Sequence, residues 1–289
     1  MYSWIKDYLN DRSQYTFVNG VKSDELSINY GVPQGSVLGP LLFLIYINDL
    51  YRAVPEAYPK LFADDTNVFL ADKNIDNLVN KANVCLTKIS EWCVANRLTI
   101  NLDKTNYTLF TSSTVTPTVN VDLSIGNRII PQADCCKFLG IFIDNKLHFK
   151  DHIDYVYKKL LKFCSMFYKI RDLLPKECLK MIYYSFIHTH LLYAIEIYAN
   201  TFTSYLNNLS VLNNKLIRIL FTKNRFSHVK ELYVITESLP ILKLHDFSIL
   251  VFVHKSVYDP SSLPEFLLIT TNRINSCQDT VVEECMICT

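Results

Sequence analysis

Leu61-Phe62-Ala63-Asp64-Asp65-Thr66-Asn67-Val68-Phe69-Leu70 sets two adjacent carboxylates between two apolar arms. The arms read as the strands of a hairpin, with Asp64, Asp65, Thr66 and Asn67 at its tip. Negative charge concentrated at a rigid, partly buried point is costly unless a cation neutralises it. Magnesium suits such a point, because it takes oxygen ligands and leaves room for substrate phosphates. Side chains of a flat strand alternate in direction, so a turn is needed to bring both carboxylates to one site. Taken alone, the same residues also describe a plain polar turn.

Upstream, Gly31-Val32-Pro33-Gln34-Gly35-Ser36-Val37-Leu38-Gly39-Pro40-Leu41-Leu42-Phe43 packs three glycines and two prolines ahead of an apolar run that ends at Leu50. The run reads as a buried helix with Pro40 in its first turn. Gly35 has no Cβ, so a ligand or a nucleic-acid backbone can come close there. Gln34 can donate and accept near a base or sugar. Further out, Trp4, Ile5, Tyr8 and Leu9 fall at helical spacing, and the Asn19-Gly20 turn joins extended segments from Gln14 to Val18 and from Val21 to Tyr30. Downstream of the carboxylates, Ile75 to Ala95 has helical periodicity. Strand-like pieces follow at Leu98 to Leu102, Tyr107 to Thr111, Val119 to Ile125 and Phe138 to Ile143.

Beyond residue 149 the pattern is helical throughout. Ile153, Val156, Leu160, Cys164 and Phe167 form one apolar stripe, and Lys158, Lys162 and Lys169 lie on another face of the same helix. A second helix opens at Pro175 and runs to Tyr198, a third carries Leu206 to Leu220, and a fourth spans Ile241 to Tyr258. The boundary therefore falls near residue 148, dividing the chain into 1–148, 149–258 and a tail, 259–289. Met181 to Ala199 is strongly apolar, but His188, His190 and Glu196 within it mark a core helix rather than a membrane span. His188 and His190, two apart on a helix, cannot share a face and read as packing residues.

With 49% hydrophobic and 20% charged residues, the 289-residue chain has a globular profile and can bury a substantial core. Its nine cysteines are odd in number and suggest no disulfide framework. No basic segment leads into an apolar core at the start, so an intracellular protein, nuclear or cytoplasmic, is expected. Net charge is +1, but it is unevenly spread. Residues 137–230 carry 15 basic and 6 acidic side chains, a balance of +9, against −3 before them and −5 after. A basic middle between acidic ends fits either a surface for a polyanion or a set of solvated helix faces.

Taken in order, these motifs resemble the core of a reverse transcriptase of the non-LTR, LINE-type retrotransposon class. Gly31 to Phe43 is similar to that family's motif B, and Phe62-Ala63-Asp64-Asp65 to its catalytic motif C. Asn101-Leu102-Asp103-Lys104-Thr105 is similar to motif D, and Lys137-Phe138-Leu139-Gly140-Ile141-Phe142-Ile143-Asp144 to the primer grip. The resemblance implies an α+β fold: part of a polymerase palm, an antiparallel sheet with helices, followed by an all-helical thumb. It implies phosphoryl transfer at two Mg2+ ions, with Asp64 as metal ligand and Asp65 beside it. Lys104 would lie near the departing pyrophosphate, Gln34 and Gly35 against incoming nucleotide and template, and Leu139-Gly140 near the primer end. An RNA template with a DNA primer, or an RNA–DNA hybrid, is the implied partner, met by Lys158, Lys162, Lys169, Lys215 and Arg218.

The resemblance also has a gap. The family's motif A supplies another metal-binding aspartate from a strand upstream of motif B, and here it would fall before Met1. Asp7 and Asp11 sit in a helical pattern and do not replace it. The expectation is a palm sheet with apolar surface exposed where that strand would pair, a loosely held metal, and no synthesis by the chain alone. The alternatives are a non-catalytic nucleic-acid-binding protein or a retroelement relic without function. Cys277, Cys285 and Cys288 lack a fourth ligand and do not make a structural zinc site.

Overall fold

Short strands alternate with helices as far as residue 144, and helices alone build the chain from 150 to 258, as the periodicities require. A computed structural model describes residues 2–33, 35–111, 121–259, Ser261 and the strand 283–288. Helix α1 (Tyr2–Leu9) is followed by β1 (Arg12–Gln14), β2 (Phe17–Val18), β3 (Val21–Lys22) and β4 (Leu26–Ile28). Asn19 (φ 52°) and Gly20 (φ 83°) turn β2 onto β3, the left-handed pair that an Asn-Gly hairpin needs. The two long arms read from the sequence are thus two short ladders, β2 with β3 and β1 with β4.

Helix α2 (Leu38–Ile47) and the single turn α3 (Leu50–Ala53) come next. The apolar run forms the expected helix, but not a buried one. Only Gly39 and Ile47 of α2 are buried, and Leu44 and Ile45 are 48% and 66% exposed. No described element covers that face.

The carboxylate hairpin is β5 (Tyr58–Phe62) and β6 (Asp65–Asp72), and α4 (Ile75–Ala95) carries the chain over the sheet to β7 (Asn106–Phe110). Asn74 caps α4, its side-chain oxygen accepting from the backbone N–H groups of Asp76 at 2.8 Å and Asn77 at 3.2 Å. Leu78, Ala82, Cys85, Leu86 and Ile89 of α4 close over Val68, Leu70, Tyr107 and Leu109 of the sheet. The strand expected at Leu98 to Leu102 is instead a turn. The Asn101 side chain accepts from Asp103 N–H, and its carbonyl accepts from Lys104 and Thr105 N–H, a local bonding pattern that competes with a ladder. Two small hairpins follow, β8 (Ser124–Ile125) with β9 (Arg128–Ile129), and β10 (Cys135–Phe138) with β11 (Ile141–Asp144).

The sheet expected to stand open is filled. Strand β12 (Glu283–Cys288), from the segment read as a tail, lies between β6 and β7 in the order β5-β6-β12-β7 and pairs antiparallel with both.

The helical half comprises α5 (Lys150–Ile170), α6 (Lys176–Tyr183), a π-helical turn (Tyr184–His188), α7 (Thr189–Leu192), α8 (Ile195–Tyr198), α9 (Thr203–Leu220), α10 (Lys230–Thr236) and α11 (Ile241–Tyr258). The helix expected from Pro175 to Tyr198 is therefore broken, by the π turn and by Ala194 in a left-handed conformation (φ 57°). No described helix is long and apolar enough to cross a membrane. The α5 stripe, Ile153 to Phe167, packs against Leu209 and Leu216 of α9 in one core with Leu179, Tyr183 and Ile187. Asn213 is buried in that core and bonded at both ends of its amide, accepting from Tyr183 O–H at 3.2 Å and donating to the Tyr233 oxygen at 3.1 Å.

His152, at the start of α5, is buried and accepts at Nδ1 from Phe142 N–H at 3.4 Å. Burial pushes it down from 6.5 to about 4, so it stays neutral where an unfolded histidine would be charged. A depressed histidine makes the unfolded state bind more protons between the two values, so stability is lost as pH falls from 6.5 through 4. By the same linkage the full loss is on the order of 3 kcal/mol. Denaturant midpoints measured from pH 7 to pH 4 should fall steeply for the native chain and less for His152→Gln. Parallel pH profiles would show that the histidine does not govern the acid side.

Candidate active site

The turn that brings the carboxylates together is tighter than the sequence suggested. Phe62 and Asp65 are the last registered pair of β5 and β6, so only Ala63 and Asp64 make the turn. Ala63 takes a left-handed conformation (φ 51°), which costs an L-residue on the order of 1 kcal/mol. Asp64 thus projects from the turn and Asp65 from the first position of β6. Thr66 and Asn67, expected at the tip, are buried within the strand. Both carboxylates are exposed rather than partly buried, and neither forms an ion pair among the described residues.

A cleft of about 550 Å3 opens beside them. Asp64 and Asp65, Trp92 and Cys93 of α4, and Lys104, Asn106, Lys137 and Leu139 are among the residues that line it. Fold geometry therefore unites Asp64, Asp65, Lys104 and Leu139, residues 75 apart at the extremes of the sequence. Lys137 was not singled out as a site residue from the sequence; its place two residues before Leu139, on β10, was the available signal. Among the described residues no group of three or more acidic, histidine or cysteine side chains could hold a metal. The donor set at the hairpin is a pair of carboxylates, which fits Mg2+ held through one or two carboxylates and completed by water and phosphate oxygens.

The Leu139-Gly140 turn links β10 to β11 with both residues left-handed, φ 46° and 87°. Leu139 faces the carboxylate cleft, and its carbonyl accepts from Tyr193 O–H at 2.5 Å. A single hydrogen bond thereby ties the turn to the helical half. Gly140 lies instead in a smaller cleft of about 310 Å3 with Lys159, His190 and Tyr193.

The glycine-rich loop does not reach the carboxylate cleft. Gly35 (φ 80°) is exposed, with open space where a Cβ would stand, and Gln34 lies outside the described residues. Gly31 and Val32 line an adjoining apolar cleft of about 910 Å3, which shares Phe43 and Leu98 with the first. Ser36 organises the loop. It donates to Pro33 C=O at 2.8 Å, and its oxygen accepts from Tyr8 O–H at 2.7 Å and Gly39 N–H at 3.0 Å. A Cβ on Gly39 would meet that oxygen at 2.9 Å, so a larger residue there would displace the Ser36 hydroxyl.

Lys158, Lys162 and Lys169 are all exposed on α5, and Lys215 is exposed on α9. Arg218 is half-buried and committed, donating from Nε to Ser227 C=O at 2.9 Å. It holds the loop after α9 and is the least available of the five.

Residues 1–143 match the family model described as reverse transcriptase (RNA-dependent DNA polymerase). The chain is 30% identical over 229 residues to the RNA-directed DNA polymerase from mobile element jockey of Drosophila melanogaster, an alignment covering 75% of this chain and 25% of that protein. It is 29% identical over 235 residues to the probable RNA-directed DNA polymerase from transposon BS of the same species, covering 76% and 25%. It is 27% identical over 236 residues to the corresponding protein from transposon X-element, covering 78% and 26%. The chain thus spans about a quarter of the length of these curated relatives. No solved structure is significantly similar to it.

The turn beside the cleft makes its own prediction. A Cβ on Gly140 would sit in ordinary contact, 3.7 Å from the Tyr193 ring, so Gly140→Ala carries a conformational rather than a steric cost. Stability should fall by about 1 kcal/mol in urea denaturation. An unchanged midpoint would mean that the turn relaxes out of its left-handed form.

Proposed function

Since residues 1–143 are a reverse transcriptase domain related to those of non-LTR retrotransposon polymerases, we propose that the chain is the later palm and thumb of an RNA-directed DNA polymerase. The palm portion would be 1–148 and the thumb with its following segment 149–258. One observation carries this reading: Asp64, Asp65, Lys104 and Leu139 line a single cleft, although nothing in an ordinary polar turn requires them to meet.

Asp64 would hold Mg2+, with Asp65 beside it. Two such ions would stabilise the entering and leaving oxygens of phosphoryl transfer. Lys104, which lines the same cleft, would set a positive charge near the negative charge of a departing pyrophosphate. Lys137 would add a second cation to that cleft. The Leu139-Gly140 turn, fixed by two left-handed residues and by Tyr193, offers a rigid edge for the primer end. Gln34 and Gly35 would contact nucleotide and template from the glycine-rich loop.

The chain alone should not synthesise DNA. Two carboxylates make a weak seat for two divalent ions. Extension of a DNA primer on an RNA template, with Mg2+, should be undetectable, and it should appear when a separate fragment supplying a further metal-binding aspartate is added. Extension by the chain alone, abolished by Asp64→Ala, would show that two carboxylates suffice.

Nucleic-acid binding is separable from chemistry. The exposed lysines of α5 and the +9 balance of residues 137–230 support a phosphate-contacting thumb. Affinity for an RNA–DNA hybrid should fall steeply with salt, by close to one power of salt concentration per neutralised phosphate. Glutamine at Lys158, Lys162 and Lys169 together should weaken binding and flatten the slope by about two to three units. Asp64→Ala should leave it unchanged. Equal slopes for native and lysine-substituted chains would mark these charges as a solvated face and end the thumb reading.

A further inference from the structure

The last helix of the bundle is buried along only one edge. In α11 the buried residues are Ile241, Leu244 and Ser248, the first two of them within the core of the helical half. A surface helix that serves one core carries polar residues round the rest of its circumference. α11 does not. Phe247, Leu250, Val251, Val253, Val257 and Tyr258 are all exposed, and from Leu250 to Tyr258 no residue is buried.

These exposed side chains are ordered. Phe247, Leu250, His254 and Val257 recur at spacings of three and four, the seam of a coiled coil. Val251 and Tyr258 flank the seam on one side and Val253 on the other. At helical rise the stretch from Phe247 to Tyr258 is roughly 16 Å long. It holds one Lys, at 255, which helical periodicity turns away from the seam. Asp246, just before it, is already paired with Lys243 at 3.1 Å, and the His254 ring lies against Tyr258, 4.7 Å between centroids. Covering the seam therefore buries no unpaired charge.

The seam also complements itself. Lay a second α11 antiparallel against it, about a two-fold axis at the level of Phe252. Phe247 then meets Val257 of the second copy, and Leu250 meets His254 of the second copy, so every seam position is used once and the large ring faces a small side chain. Val251 and Val253 come beside their own symmetry mates. A parallel pair would instead stack Phe247 on Phe247 and His254 on His254. It would also crowd both bundles at one end, because each α11 is held by its bundle through its first half.

We propose that α11 is a pairing helix, and that the partner it fits is a second copy of this chain, joined antiparallel through residues 247–258. Such a contact uses the same patch on both copies and closes at two. Phe247 is 54% exposed, Leu250 66%, Val257 63% and Tyr258 76%, which with their neighbours offers on the order of 500 Å2 per copy. The total, about 1,000 Å2, is the lower bound of a specific contact, so a reversible, micromolar dimer is expected. No residue of α11 lines the carboxylate cleft or the apolar cleft beside it, so pairing leaves both open.

Sedimentation equilibrium of the full chain from about 1 to 100 µM should show a monomer in reversible exchange with a dimer. Leu250→Glu sets a charge on the seam and should weaken association at least tenfold, and Val257→Glu should do the same. Both positions are exposed, so the thermal midpoints of the two variants should match that of the native monomer. Ile45→Glu, on the bare face of α2, should leave the dimer as it is. Direction is read from Leu250→Glu combined with His254→Lys. In the antiparallel pair each glutamate meets a lysine of the other copy and association recovers at least tenfold; in a parallel pair like charges stack and it falls further. A chain that stays monomeric throughout the range overturns the proposal, as does association lost with Ile45→Glu but kept with both seam variants. Loss in the seam variants with no recovery in the double variant overturns the antiparallel pairing.

Discussion

Strands β6 and β7 are joined by a helix that crosses one face of the sheet, and that connection forces them to run parallel. Their ladder edges sit one strand apart, so neither can satisfy its inward backbone groups without a strand between them. The core over α4 depends on the same condition: Val68 and Leu70 lie on one side of the gap, Tyr107 and Leu109 on the other, and α4 bridges both. What fills the gap decides whether this half of the molecule is one layer or two loose edges. In this chain the filler comes from residues 283–288, far along the sequence from both neighbours.

Local patterns were legible in the sequence wherever a residue's role is set by its immediate neighbours. The Asp64-Asp65 hairpin, the Asn19-Gly20 turn and the α4 and α5 stripes follow from periodicity or turn chemistry and are present, whereas the piece read as one strand from Phe138 to Ile143 is broken by the left-handed Leu139-Gly140 turn into β10 and β11. The failures share a cause. Leu98 to Leu102 has the apolar alternation of a strand, but Asn101 supplies local acceptors that close a turn first. The run in α2 has the composition of a buried helix, yet burial depends on a covering element that composition does not specify. β12 carries no distinctive pattern, since its place is dictated by a vacancy created elsewhere in the fold.

The site shows the same division. Asp64 and Asp65 could be picked out because adjacent carboxylates on an apolar hairpin are unusual, and Lys104 and Leu139 because they stand in motifs of recognisable order. That all four line one cleft is a tertiary fact. So is the place of Gly35 outside it: among the described residues the glycine-rich loop opens onto the neighbouring apolar cleft, and the carboxylate cleft is lined instead by Phe43 and Ile47 of the helix the loop starts. Lys137 escaped notice because a lysine at the start of a strand has no local signature of function.

The two halves meet through packing as well as directional contacts: Ile141 of β11 lies in the core of the helical half, and Phe142 N–H donates to His152. Asp144 ends β11, and its carboxylate accepts from the backbone N–H groups of Lys146, His148 and Phe149, fixing the approach to α5. Tyr193 reaches back from the helical half to the Leu139 carbonyl. The hairpin that brings Leu139 to the carboxylate cleft is therefore seated on α5, the same helix that exposes Lys158, Lys162 and Lys169, so cleft and lysines are set in one frame.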